Sequence, residues 1–227
     1  MMTSVAVSRA SKRYLLALLV LYLVIWAGLA IAPWYRRDWL LENMLVFVAV
    51  PLLVWAHLRI GFTNVTCTLL FVFFVLHAVG AHYTYAEVPY DVWFKHLTGH
   101  TLSHALGMQR NHYDRMVHFA YGLLVTPAAI QLLDARAPQQ GIWRWLVPFT
   151  FMASHSSIYE LIEWAAVGVF GGDLGQAYLG TQGDIWDAHK DMALCMLGAA
   201  IAVTACRWHQ AAAHRRKAAQ GSHVNGT

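Results

Sequence analysis

Three stretches of the chain carry the side chains best suited to acid–base or metal chemistry. LGTQGDIWDAHKDM (Leu179–Met192) sets Asp184, Asp187 and Asp191 three and four residues apart. YELIEW (Tyr159–Trp164) sets Glu160 and Glu163 three apart, with Ser156 four before Glu160. NHYDRMVHFAYG (Asn111–Gly122) sets Asp114 and His118 four apart, with Arg115 between them. Residues at such spacings share one face of a helix. Carboxylates mixed with imidazoles are ordinary ligands for zinc, manganese or iron, whereas magnesium prefers oxygen alone. The same groups serve as general acids and bases.

Like charges this close repel, so a divalent cation, Arg115, Lys190 or protonation must offset them. The candidate metal ligands are His82, Asp114, His118, Glu160, Glu163, Asp184, Asp187 and Asp191. The candidate catalytic residues are Glu160, Asp184 and His118, with Arg115 suited to holding an anionic group. Each has a plainer reading. Asp184 can be the N-cap of a helix with Asp187 in its first turn, Asp114 and Arg115 a helix-start acid and a salt-bridging base, Glu163 an interfacial acid, and His118 a polar contact between helices. His96, His100 and His104 form a ladder that would line one helix side, although Gly99 weakens that helix.

The elements that position these groups are membrane helices. Of the 227 residues 58% are hydrophobic and 12% charged, about half the charge of a typical soluble domain. Apolar segments near 14–32, 39–56, 67–83, 116–133, 143–167 and 188–208 are each near the roughly 20 residues needed to cross a bilayer. The last apolar run starts only at Met192, so that helix is expected to begin inside the acidic stretch. Arg9, Lys12 and Arg13 followed by Ala30-Ile31-Ala32 imitate a signal peptide, but the apolar core is too long and Pro33 follows directly, which predicts an uncleaved first helix.

The expected fold is therefore an all-α polytopic membrane bundle of about six helices. Residues 1–208 make one membrane domain and 209–227 a loosely ordered basic tail. With both termini cytoplasmic, ten Lys and Arg fall inside and six outside. The long outer loops are 84–115 and 168–187. The first is expected to hold a surface helix capped by Asp91, with Val92, Trp93, Phe94, Leu97 and Leu102 on its apolar side. The second carries glycine turns at Gly171-Gly172, Gly180 and Gly183. Whichever way the chain is inserted, the candidate residues, together with Glu42 and His77, gather toward one membrane face. The net charge of +4 is scattered and not interleaved with stacking aromatics, which argues against nucleic acid. Cys67, Cys195 and Cys206 read as buried thiols.

HYTYAEVP (His82–Pro89), NHYDRMVHFAYG, YELIEW and LGTQGDIWDAHKDM, in this order and spacing, resemble the YjdF family of bacterial inner-membrane proteins, from the second helix through the sixth. The resemblance implies a multi-pass inner-membrane protein and no particular reaction. The order Asp114, His118, Phe119, Glu160 and then Asp184–Asp191 is more distantly similar to VanZ-like membrane proteins, which are linked to glycopeptide resistance and the cell envelope. The leading expectation is metal-assisted hydrolysis or transfer on a lipid-linked or phosphorylated envelope substrate at the periplasmic face. The expected cofactor is a divalent metal (Zn, Mn or Fe), and the expected partners are membrane lipid and an anionic envelope substrate. A proton- or cation-coupled transporter and a non-catalytic envelope protein remain open alternatives. No GxSxG motif or phosphate-cradling glycine loop narrows the reaction, and the oligomeric state stays open.

Overall fold

The computed structural model describes residues 10–170 and 180–224. Among these residues every regular element is helical. Helix α1 (Lys12–Leu29) starts at Ser11, whose hydroxyl accepts the Tyr14 N–H at 3.1 Å. Helix α2 (Arg36–Ile60) ends at Gly61, whose φ of 72° is the left-handed cap that glycine adopts without strain. Helix α3 (Asn64–Tyr83) is capped by Thr63. A single 3₁₀ turn (Tyr85–Glu87) leads into the short helices α4 (Tyr90–Thr98) and α5 (Leu102–Leu106). Helices α6 (Tyr113–Arg136), α7 (Trp143–Phe170) and α8 (Asp187–Val224) complete the described chain.

Helices α1, α2, α3 and α6 and the Asp187–Ala213 part of α8 are long and apolar enough to cross a membrane. At 28 residues α7 is also long enough, and it carries His155, Glu160 and Glu163 within its length. Leu16, Val24, Val48, Leu58 and Leu161 are among many large apolar side chains left exposed. An aqueous surface does not tolerate so much contiguous apolar area, whereas lipid-facing helices require it.

Helix α6 is the hub. It packs most extensively on α8, and also on α3 and α7. The α6–α8 crossing is backbone on backbone: a Cβ on Gly122 would stand 1.9 Å from the Cys195 carbonyl oxygen, and one on Gly198 would stand 2.3 Å from that of Phe119. Small residues permit this approach between membrane helices. At the end away from the acidic stretches, Arg207 grips Asp134 through two contacts of 2.9 and 3.1 Å and also donates to the Arg144 carbonyl.

Three expectations change in detail. Helix α8 continues to Val224 and does not end near Trp208, so 209–224 is helical. Asp91 is not a cap: α4 begins after Pro89, and Asp91 instead accepts the Ser103 N–H at 2.9 Å, tying α4 to α5. The histidine ladder does not lie on one helix, because the chain turns at Gly99 with φ 82°; His96, His100 and His104 are all exposed. The Gly171-Gly172 turn lies outside the described residues.

Candidate functional site

One end of the bundle collects the start of α2, the end of α3, the start of α6, the outer half of α7 and the start of α8. Two layers of polar side chains form there.

The outer layer is a set of ion pairs. Arg110 meets both oxygens of Asp187, at 2.7 and 3.3 Å, and donates to the carbonyls of Thr181 and Gly180. Arg115 contacts Asp184 at 2.5 Å and Asp187 at 2.9 Å. Lys190 reaches Asp184 at 2.5 Å. Asn111 and Gln182 exchange two hydrogen bonds of 3.1 Å between the loop before α6 and the loop before α8. Asp184 accepts the Trp186 N–H at 3.0 Å, in a turn that precedes the first residue of α8, Asp187. Hydrogen bonding from Lys190, and then from Trp186 and Arg115, holds the Asp184 carboxyl well below its usual range. The chain therefore neutralises Asp184 and Asp187 with its own cations, and Arg115 is taken up by them.

His112 lies beside this layer, 3.4 Å from Arg115. Burial, then the charges of Arg115 and Arg110, lowers its pKa below the ordinary value. A histidine with a lowered pKa in the fold favours the neutral ring, so its contribution is complete above about pH 6.5 and is lost as pH falls through the folded value. The melting temperature should accordingly drop on acidification from about pH 6.5 to 5, and His112→Asn should flatten that part of the curve. A pH series of thermal melts on both proteins, showing equal slopes, would remove His112 as the cause.

The inner layer lacks such cations. Asp114, His118 and Asp191 each bring one ligand atom to within 4.8 Å of the others. His118 Nε2 is 3.5 Å from Asp114 and its Nδ1 is 3.7 Å from Glu160. Both gaps are too long for good hydrogen bonds. Glu160 Oε1 and Asp191 Oδ1 are buried without a hydrogen-bond partner, and so is Glu42 Oε2 on α2. Glu163 is buried beside them and interacts electrostatically with Asp114, Glu160 and Glu42. His118 stacks edge-on against Tyr159.

A third group borders this layer. Tyr85 donates its hydroxyl to His77 Nδ1, and the other ring nitrogen of His77 lies 3.2 Å from the Glu42 carbonyl. Gly80 makes room, since a Cβ there would stand 2.7 Å from the Tyr85 ring. Burial, then the charges of Glu42 and Asp114, raises the Tyr85 pKa well above its usual value, which keeps the hydroxyl a donor.

The sequence-derived candidates thus divide. Asp114, His118, Glu160, Glu163 and Asp191 converge in the inner layer. Asp184, Asp187 and Arg115 form the ionic layer above it. His82 sits apart from the Asp114–His118–Asp191 cluster, its Nδ1 2.7 Å from the Leu29 carbonyl. Arg110 and Gln182 were not singled out by spacing because both lie in loops, where no helical period marks them. Glu42 was placed at this end by its helix but not named as a ligand or catalytic candidate, although Asp38 stands four residues before it on α2.

The fold and site define a polytopic α-helical membrane protein with a buried carboxylate–histidine cluster at one end. The chain belongs to the family described as "Predicted membrane protein (DUF2238)", which matches residues 14–212. It is similar to inner membrane protein YjdF of Escherichia coli (strain K12), at 34% identity over 190 residues, covering 82% of this chain and 85% of that relative. No solved structure matches it. The protein is a multi-pass protein of the bacterial inner membrane.

Proposed function

We propose that the protein is a metal-dependent hydrolase or transferase acting at the periplasmic face on a lipid-linked or phosphorylated envelope substrate. The observation that carries this reading is the convergence of Asp114, His118 and Asp191 without cations of their own, next to buried carboxylate oxygens that have no donors. Ligand atoms about 2.0–2.2 Å from a tetrahedral metal stand roughly 3.3–3.5 Å from one another. The 3.5 Å gap between His118 Nε2 and Asp114 matches that spacing and is too long for a hydrogen bond.

In this reading Asp114, His118 and Asp191 hold zinc or manganese. Glu160 faces the second ring nitrogen of His118, the position from which a carboxylate orients a ligand histidine. A bound metal would supply a water of lowered pKa and a polarised oxygen. Glu160, 3.7 Å from the His118 ring, and Glu163, buried on the same helix, would be the carboxylates available as general bases beside such a metal. Arg110 and Arg115 would meet an anionic group only by exchanging it for Asp187. Ile185, Trp186 and Trp164 are exposed around the site, with Ile185 85% accessible, a surface suited to a substrate still anchored in lipid.

Among the described residues the cluster has no counterpart toward the other end. Below it, Met152, Ala129 and Ala199 pack into an apolar plug, Met152 and Ala199 with no exposure at all. This closure favours a one-sided site over a transport path. The test is metal analysis of protein purified in detergent without added metal. Near-stoichiometric zinc or manganese is expected in the wild type, falling on the order of tenfold or more in His118→Gln and Asp191→Asn. Lys190→Gln should keep its metal. A folded, metal-free wild type that also fails to take up zinc or manganese overturns the reading.

A further inference from the structure

A cavity that the acidic cluster does not use lies beside the ionic layer. Helices α4 and α5 pack together, joined where Asp91 accepts the Ser103 N–H at 2.9 Å. Between this pair and the loop before α6 is a pocket of about 260 Å³. Tyr90, Asp91 and Ser103 line one side, and Gln109, Arg110 and Asn111 the other. Sites for drug-sized ligands run to roughly 300–1,000 Å³, so this one has room for a smaller, ring-sized group.

The walls are held in place by the chain itself. The Tyr90 hydroxyl accepts the His112 N–H at 3.1 Å and stands 3.3 Å from Ser103 Oγ. Asn111 donates to the Val88 carbonyl and accepts the Tyr113 N–H, both at 2.9 Å. Polar groups fixed in this way cost less to order when a ligand arrives.

The chemistry of the lining narrows the ligand. Arg110 is committed to Asp187 and to the carbonyls of Thr181 and Gly180. That leaves Asp91 as the charge of the lining, which disfavours a phosphate. One carboxylate and no histidine make a poor metal site. Walls this polar give little to a hydrocarbon. What they present is a carboxylate, two hydroxyls and the exposed Gln109 amide, which has no partner among the described residues. These groups donate and accept at neighbouring points, as the adjacent hydroxyls of a sugar require. The location agrees. Val92, Trp93, Leu97 and Leu106 leave apolar surface exposed on α4 and α5, and Trp93 stacks on Tyr83 at the end of α3. Short helices with such a face lie in the membrane interface, which sets the pocket at headgroup depth.

We propose that this pocket binds an uncharged polyhydroxyl group, the sugar of a glycosylated envelope lipid whose chains remain in the leaflet on the acidic side. The proposal names the substrate class of the neighbouring cluster and rests on reading that cluster as acting on a lipid-linked envelope substrate. Arg110 joins the two, since it lies in the pocket wall and in the ionic layer over Asp114, His118 and Asp191.

Native mass spectrometry of the full chain, in a detergent without a sugar headgroup, tests the proposal. The probes are monoglucosyl diacylglycerol, diacylglycerol and phosphatidylethanolamine, each with and without EDTA. The wild type should retain the glucosyl lipid over the other two on the order of tenfold. Met108→Trp, which fills the pocket, should erase that preference. Gln109→Leu, at an exposed position, should weaken it without changing the melting temperature and serves if Met108→Trp does not fold. Competition by free glucose would assign recognition to the sugar alone, and an intact preference in its presence would assign it to the lipid-linked form. A preference that survives EDTA supports the pocket even where the metal reading fails. Equal retention of the three lipids by a metal-loaded wild type, stronger retention of phosphatidylethanolamine, or an undiminished preference in folded Met108→Trp would each overturn the pocket and leave the metal reading standing.

Discussion

Gly122→Ala should cost the protein about 3 kcal/mol or more and lower its melting temperature by roughly 6–12 °C, an effect large for one methyl group. The added Cβ would meet the Cys195 carbonyl oxygen at 1.9 Å, with Ala199 N at 2.9 Å behind it. Ordinary contact begins at 3.4 Å, so the helices must part by about 1.5 Å, the difference between the two values. Both obstructing atoms are backbone, and no rotamer change relieves them. The displacement reaches the site directly, since His118 lies one turn from Gly122 on α6 and Asp191 one turn from Cys195 on α8. The variant should therefore lose metal as well as stability. Gly28→Ala is the control: nothing lies within 4 Å of its added Cβ, and alanine is the better helix former. Equal melting curves for Gly122→Ala and the wild type would mean that α6 and α8 do not cross this closely.

That crossing shows what the sequence made legible and what it did not. The long helices follow from apolar run length, and their gathering of acids at one end follows from helix count alone. The i, i+4 spacing of Asp114 and His118 put them on one face, as the structure has them. Spacing could not tell which acids face arginine and which face each other. Asp187 and Asp191 are equally periodic, yet Asp187 points to Arg110 and Arg115 while Asp191 carries an oxygen with no partner. The difference depends on Arg110, whose position comes from a loop held by Asn111, Gln182 and the Gly180 and Thr181 carbonyls. Loop geometry has no period to read. The α6–α8 contact did leave a trace, since Cys195, Gly198, Ala199 and Ala202 form a run of small residues on α8. Its partner on α6 is a single glycine, which gives no pattern by itself. The extension of α8 past Trp208 was hidden for the opposite reason: the tail is polar, but its alanines and basic residues are strong helix formers.

Arg115→Leu should be nearly as damaging, through charge in place of shape. The guanidinium is 13% exposed and bridges Asp184 and Asp187, the latter with only 4% of its side chain accessible. Removing one member of a buried ion pair leaves the other uncompensated, typically at about 3–5 kcal/mol, and the remaining contact of Asp187 with Arg110 favours the lower figure. The thermal melt should fall by roughly 6–10 °C and recover little in high salt, since ions screen buried charge poorly. Asp187→Leu added to Arg115→Leu should restore part of the loss by removing the stranded carboxylate. Lys190→Ala should leave the melt unchanged, because its ammonium is half exposed and its pair with Asp184 faces water. The cation content of these variants separates the two layers. If the inner cluster holds a metal through Asp114, His118 and Asp191, then Arg115→Leu/Asp187→Leu, once refolded by the second change, should bind it with near wild-type stoichiometry. Loss of metal in that stable double variant would place Asp187 among the ligands and make the ion pairs an apo-state arrangement of the same site.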